Sequence, residues 1–284
     1  MNLNIKELKE TDITKGIEVV YSSFGRNITK NQIIDEKRNW KKMMKQNFGK
    51  FIVSEVNENI VGIGGVFFFG NVCSFGYMAV LHNYRWKGLG TKIFGKLFET
   101  AIDVGCKKMI LYASPLGEPI YRKFGFIKSY YGSMYNLPKT IPNLDSTDKK
   151  VKFLNHLPNW LLDLDKEATG FDRKEYLKLL IDLGSKVFVI EKEAFGFLSK
   201  VLDNLRLGPL ISKSLDPALK IMAKSIELQA NQIILTEHNK LPKEIFDVIN
   251  LTRVENGSNL RMIYGDKILE SLDLVYATAT FAKT

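Results

Sequence analysis

The sequence predicts an α/β protein of two domains, and three observations carry that reading. At 284 residues the chain is long for one hydrophobic core, and two domains of about 140 residues each are the natural division. Apolar residues recur at helical spacing in some stretches and in short strand-like runs in others, and the two kinds alternate. The order of these elements then recurs, more faintly, at an interval of about 140 residues.

Residues 3–8 alternate weakly, as an edge strand does. Thr11 or Asp12 can cap a helix by accepting an orphan backbone N–H, and Ile13, Ile17, Val20 and Phe24 follow at helical spacing up to Gly25. A second helical pattern opens near Thr29 or Asn31 and carries Ile33, Trp40 and Met44. Residues 51–56 and 60–69 flank Asn57-Glu58-Asn59, a hairpin turn. An apolar strand covers 72–81, and Ile93, Phe94, Leu97, Phe98 and Ala101 make an amphipathic helix that closes at Gly105. A short buried strand follows over 108–113, then a proline-led helix between Ser114 and Gly125, then a strand over 126–137. Residues 138–148, polar and with two prolines, read as the linker. The expected domains are therefore 1–140 and 149–284. In the second, helices are expected over 171–183, 215–228 and 243–249, and strands over 186–190, 195–202, 205–212, 232–235 and 260–264.

Composition excludes several classes. No apolar run approaches the roughly 20 residues of a membrane span, and the polar, mixed-charge start is unlike a signal peptide. Cys73 and Cys106 are the only cysteines, so neither a disulfide framework nor a metal cluster is expected; a reducing cytoplasm fits. The net charge of +10 lies wholly in residues 1–140, which hold 21 Lys and Arg against 11 Asp and Glu; the remainder holds 20 of each. That excess suits a polyanionic small ligand or an acidic partner as well as simple solubility. No basic run with interleaved aromatics argues for nucleic acid. Oligomeric state is not encoded in any pattern of this kind.

The basic half also carries the most informative stretch. After the strand over 72–81 comes a polar turn with the pattern R-x-x-G-x-G, as Arg85, Gly88 and Gly90, opening a helix at Thr91. Successive amides at a glycine-rich helix start converge on one point, and the helix dipole adds partial positive charge there. A Rossmann turn would need G-x-G-x-x-G early in a parallel unit, and a Walker loop Gly-Lys-Ser/Thr; neither is present. About 30 residues on, across one helix and one strand, stands Tyr121-Arg122-Lys123-Phe124-Gly125-Phe126.

This pairing resembles the GNAT N-acetyltransferase superfamily, whose members carry R-x-x-G-x-G against the coenzyme A pyrophosphate and Y-x-x-x-G-F on a later helix. Ala168-Thr169-Gly170-Phe171-Asp172-Arg173 and Leu207-Gly208-Pro209-Leu210 look like tandem-GNAT proteins with a degenerate C-terminal copy. The resemblance implies two GNAT-like domains, each a mixed, mostly antiparallel sheet flanked by helices. It implies acetyl-CoA as co-substrate and a primary amine on a small molecule, protein or peptide as acceptor.

Carried onto this chain, the resemblance places the pyrophosphate on the amides of Gly88, Leu89, Gly90 and Thr91, with Arg85, Trp86 and Lys87 beside them. The pantetheine arm falls on Met78, Ala79 and Val80, and Ser114 also faces the cofactor. Tyr121 is the expected proton donor to the leaving thiolate, since a phenol with pKa about 10 is protonated at neutral pH. Oxyanion stabilisation falls to the amide of Val80 or Ala79. Trp86 stands where the family has glycine and His82 where it has proline; His82 reads as a turn residue. The strand over 72–81 lacks the carboxylate that many members place there, so the base is unassigned. That gap motivates a second reading, a non-catalytic acyl-CoA-binding sensor module.

In the second half the position matching the glycine turn reads Ser212-Lys213-Ser214-Leu215-Asp216-Pro217, where Ser214 can cap the helix but no glycine admits a diphosphate. Glu237 and His238 read as a surface loop, and Thr169 to Arg173 as a capped helix start. One cofactor per chain is the expectation, with the second domain either shaping the acceptor pocket or packing structurally.

Overall fold

The computed structural model describes residues 3–45, 48–141 and 150–282. They form two compact units, Met1–Ile127 with Met262–Asp266, and Lys128–Arg261 with Lys267–Ala282. Most of the expected linker lies outside the described residues.

The first unit runs β1 (Leu3–Glu7), α1 (Ile13–Ser23), α2 (Lys30–Lys45), β2 (Gly49–Val56), β3 (Asn59–Phe69), β4 (Val72–Val80), α3 (Leu89–Asp103), β5 (Lys108–Ala113) and α4 (Glu118–Lys123). Strands β1 to β4 are antiparallel neighbours in sequence order, and β5 joins β4 in parallel. Residues 262–266 run beside β5, where the Asp266 amide donates to the Lys107 carbonyl at 3.2 Å. The β2–β3 turn has Asn57 at φ 49° and Glu58 at φ 66°, the two left-handed residues that a tight hairpin demands. The expected cap at Asp12 is not made. A 3-10 turn, Glu10–Asp12, feeds straight into α1, so Asp12 has φ −98° and ψ 1° rather than extended geometry, and no side chain caps the helix.

Glycines in β3 decide how closely the helices pack. A Cβ on Gly62 would lie 2.9 Å from Ile93 Cδ1, and one on Gly64 would lie 2.7 Å from Leu97 Cδ1, so α3 sits against bare backbone. Ile63 points to the other face, toward α1 and the Trp40 ring of α2. There Trp40 stacks on Phe51 with ring centroids 4.3 Å apart and meets Tyr77 edge-on at 5.1 Å. The core thus lies in two layers on either side of β3.

The second unit holds β6 (Ile127–Asn136) from Lys128 onward, β7 (Lys152–Leu154), α5 (Asn159–Thr169), α6 (Lys174–Asp182), β8 (Lys186–Ile190), β9 (Ala194–Val201), β10 (Asn204–Ser212), α7 (Leu215–Glu227), β11 (Gln232–Glu237), α8 (Glu244–Val248), β12 (Thr252–Gly265) as far as Arg261, and β13 (Val275–Thr278). Its β7 to β10 are antiparallel neighbours, and β11 pairs antiparallel with β6. The mixed, mostly antiparallel sheets flanked by helices are those expected.

Several second-half details differ from expectation. Helix α6 is the helix expected over 171–183, but a further helix, α5, precedes it unannounced; Gly170 at φ 78° ends α5, and Asp172 accepts the Lys174 amide at 2.8 Å to start α6. Ser214 does not cap α7 with its side chain. The short strands β7 and β13 carry too few residues to show a period.

Candidate active site

Strand β4 is interrupted and then abandoned by its neighbour. Its register with β3 slips between Ile63↔Ala79 and Gly65↔Gly76, a bulge containing Tyr77 at φ 55°. Its pairing with β5 stops at Phe75↔Leu111, so residues 76–80 face an opening where the two parallel strands diverge. The Leu81 amide donates to Val61 on β3 at 2.9 Å. Strand alternation therefore turns the N–H and C=O of Val80 away from β3 and into that opening. Met78 and Val80 are half-buried there, and Ala79 is buried. Alternation thus favours Val80 over Ala79 as the amide available to a ligand.

The chain leaves β4 through a 3-10 turn, His82–Tyr84, and enters α3 at Gly88, which has φ 75° and no side-chain cap. The first intrahelical bond runs from the Lys92 amide to the Gly88 carbonyl at 3.1 Å. Helix geometry leaves the amides of Gly88, Leu89, Gly90 and Thr91 without partners inside the helix. A Cβ on Gly88 would meet nothing within 4 Å, so this is open ground in a backbone region that favours glycine. Gly90 serves differently. A Cβ there would lie 3.1 Å from Ile120 Cδ1 and 4.0 Å from Val80 Cγ2, so the start of α3, the end of β4 and α4 converge on it.

The residues beside the turn divide sharply. His82 is exposed, and Trp86 is 88% exposed with φ 63°, a left-handed position unusual for a bulky side chain. Lys87 Nζ lies 5.3 Å from the Tyr84 ring centroid. Arg85 is directed elsewhere. Its Nε donates to the Val80 carbonyl at 3.0 Å and its Nη2 to the Ser23 carbonyl at 2.6 Å.

Tyr121 sits in α4 with its ring edge-on to Phe94 of α3 at 4.8 Å. It is buried, packed among the aromatic rings of Phe94 and Phe126. Burial pushes its pKa well above that of a free phenol. The proton is therefore held throughout the neutral range, and more tightly than the sequence alone suggests. Ser114 lies just before α4, where its Oγ accepts the Gly117 amide at 3.3 Å. Cys73 and Cys106 are free and buried, consistent with packing.

The corresponding place in the second unit is built alike and then closed. Strands β10 and β11 run parallel through Arg206↔Gln232 and Leu207↔Ile233 and then part. Here β13 enters the gap, pairing with Leu210 and Ile211 on one side and with Ile234 and Leu235 on the other. Gly208 admits it: a Cβ there would lie 2.3 Å from the Thr278 carbonyl oxygen. The Leu207-Gly208-Pro209-Leu210 run, read in the sequence only as a likeness to tandem-GNAT proteins, lies at this closure.

His238 is not on a surface loop as expected; it is buried beside β13. Nε2–H donates to the Val275 carbonyl at 2.8 Å, and Nδ1 accepts the Lys240 amide at 3.2 Å, which fixes the neutral tautomer. Burial lowers its pKa, with Arg261 adding to the effect. A folded pKa below the unfolded value of about 6.5 gives stability that is present above that pH and lost as pH falls through the folded value. The urea midpoint should therefore drop between pH 7 and 5, and His238→Gln should flatten that dependence. Glu237 is held too, accepting from Tyr135 at 2.5 Å and from Arg253 at 3.1 Å.

Among the described residues no cluster of His, Cys, Asp or Glu could hold a metal, and no helix is long and apolar enough to cross a membrane. A GNAT acetyltransferase family model matches residues 17–126, and a GNAT acetyltransferase domain model matches residues 161–277. The chain is a tandem GNAT protein. An uncharacterized N-acetyltransferase of Bacillus subtilis, YitH, is 25% identical to this tandem GNAT chain over 190 residues. The match covers 64% of this chain and 66% of that one, just under two thirds of its length. A provisionally assigned acetyltransferase from Pyrococcus horikoshii superposes with a TM-score of 0.88 at 27% identity, over 99% of this chain and 96% of that one. A GCN5-related N-acetyltransferase from Kribbella flavida shares the fold, with a TM-score of 0.62 at 15% identity over 92% and 70% of the two chains.

Proposed function

We propose that this tandem GNAT protein transfers an acetyl group from acetyl-CoA to a primary amine by direct attack, using a catalytic domain over residues 1–140. Residues 149–284 form a degenerate copy that binds no cofactor. The observation that carries the reading is the contrast between two like strand pairs. The β4–β5 opening is free and ends at an uncapped glycine turn, whereas β13 fills the β10–β11 gap.

The amides of Gly88 to Thr91 would hold the pyrophosphate, each charge-assisted bond contributing roughly 1.5–3 kcal/mol. Met78, Ala79 and Val80 would receive the pantetheine arm along the opening. Arg85, Trp86 and Lys87 would wall the turn, with Ser114 on the α4 side. A neutral amine then attacks the thioester carbon, and the Val80 N–H donates a hydrogen bond to the developing oxyanion. The C–S bond breaks and the sulfur takes a hydrogen bond and proton from Tyr121; the new amide nitrogen loses its extra proton to water, which returns a proton to the Tyr121 oxygen. Burial raises the Tyr121 pKa further above that of a thiol, so its O–H stabilises the departing sulfur chiefly as a hydrogen-bond donor. The uphill proton transfer is completed only because the nitrogen's released proton restores the phenol.

Mass spectrometry of an amine library incubated with acetyl-CoA tests the reading. An acetylated product is expected. Acetyl-CoA binding with no product from any amine would leave the sensor reading instead. A cofactor-site variant gives a second check. Gly88→Ala should lose about 1 kcal/mol of stability through its left-handed φ and bind CoA about tenfold more weakly as the cradle reorients. Gly70→Ala is the matched control, with φ 65° and open space around its Cβ. It should show the same stability loss and unchanged CoA affinity by calorimetric titration.

A further inference from the structure

We propose that Arg85 is a positioning residue for acetyl transfer, acting through Val80 at the open end of β4 and not by lending its charge to the diphosphate. The proposal rests on the acetyltransferase reading above. Where β5 has diverged, the Val80 carbonyl has no strand donor on that side, and Arg85 Nε supplies one at 3.0 Å. The same guanidinium reaches the carbonyl of Ser23, the last residue of α1, at 2.6 Å. A helix C-terminus presents orphan carbonyls and partial negative charge, so a cation is favoured there.

The two bonds come from one rigid planar fork, which fixes both carbonyls at once in a way that a lysine ammonium cannot. Fixing the Val80 carbonyl fixes that residue's dihedrals, and with them the direction of its N–H. That N–H is the group placed to meet the oxyanion, and small errors in its direction are costly to the rate. Arg85 thereby ties the glycine turn, the end of β4 and the end of α1 into one piece. Its position in R-x-x-G-x-G suggests a phosphate ligand; its hydrogen bonds point at main-chain oxygens.

The test compares Arg85→Lys, which keeps the charge and loses the fork, with Arg85→Gln, which loses the charge. For both, the Kd of CoA should stay within about threefold of the parent at every salt concentration, with an unchanged salt slope. In both, kcat should fall about tenfold or more. Hydrogen exchange in the ligand-free protein should speed up at Leu81 and at the last turn of α1 in Arg85→Lys. Parental kcat in Arg85→Lys overturns the proposal, as does a tenfold weaker, less salt-dependent CoA affinity in Arg85→Gln. If Arg85→Gln does not fold, the lysine variant decides alone. Failure of the unaltered protein to bind CoA sinks the acetyltransferase reading instead. In that event, unchanged exchange at Leu81 in Arg85→Lys separately removes the clamp.

Discussion

Tyr121→Phe should lower kcat by about a hundredfold while leaving the Kd of CoA within about twofold. The substitution removes one oxygen and keeps the ring, so the edge-on contact with Phe94 at 4.8 Å and the neighbouring contact with Phe126 at 6.3 Å survive. Thermal stability should hardly change, because the ring packing that buries Tyr121 is kept. The loss should appear in kcat and kcat/KM alike, as expected for an interaction made only as the thiolate departs. Burial raises the phenol pKa, so kcat should show no falling limb below about pH 10 from deprotonation of this group. A variant with parental kcat on an acetylated amine would remove Tyr121 from the chemistry. The sulfur would then have to be protonated by water.

How much of this was legible in the sequence depends on how local the cause is. The glycine turn was readable because its chemistry is written in consecutive residues. Gly88 needs a left-handed φ and Gly90 a close neighbour, and both demands sit inside one motif. The Asn57-Glu58 hairpin was readable for the same reason. Arg85 was misleading, because the partners of so long a side chain are set by where α1 ends, and Ser23 is distant in sequence. The closing strand β13 was missed because four residues at the chain's end carry no period; only the β10–β11 gap gives them a place. The cap expected at Asp12 failed because a preceding 3-10 turn delivered the backbone already coiled. His238 looked exposed for want of any local sign of Val275, which covers its ring nitrogen.

The same limit applies to Arg173, and it leads to the largest expected stability effect. Thr169 to Arg173 reads as a helix start, yet Arg173 reaches back to Asp165 of α5. It forms a two-pronged pair there, Nε to Oδ2 at 3.0 Å and Nη2 to Oδ1 at 2.5 Å, with the side chains 5% and 2% exposed. Arg173→Ala would leave a carboxylate buried without its cation, which costs about 3–5 kcal/mol. For a unit of this size the loss corresponds to a melting transition lower by about 10–20 °C. The double replacement Asp165→Leu with Arg173→Met should recover most of that loss, because two buried charges carry desolvation costs that an apolar pair does not. Calorimetry on the full chain distinguishes the cases. A double variant as unstable as the single one would mean that the pair is needed for its shape, holding α5 against the start of α6 across the Gly170 turn. Recovery would mean that it is needed only because, once buried, neither charge can be left alone.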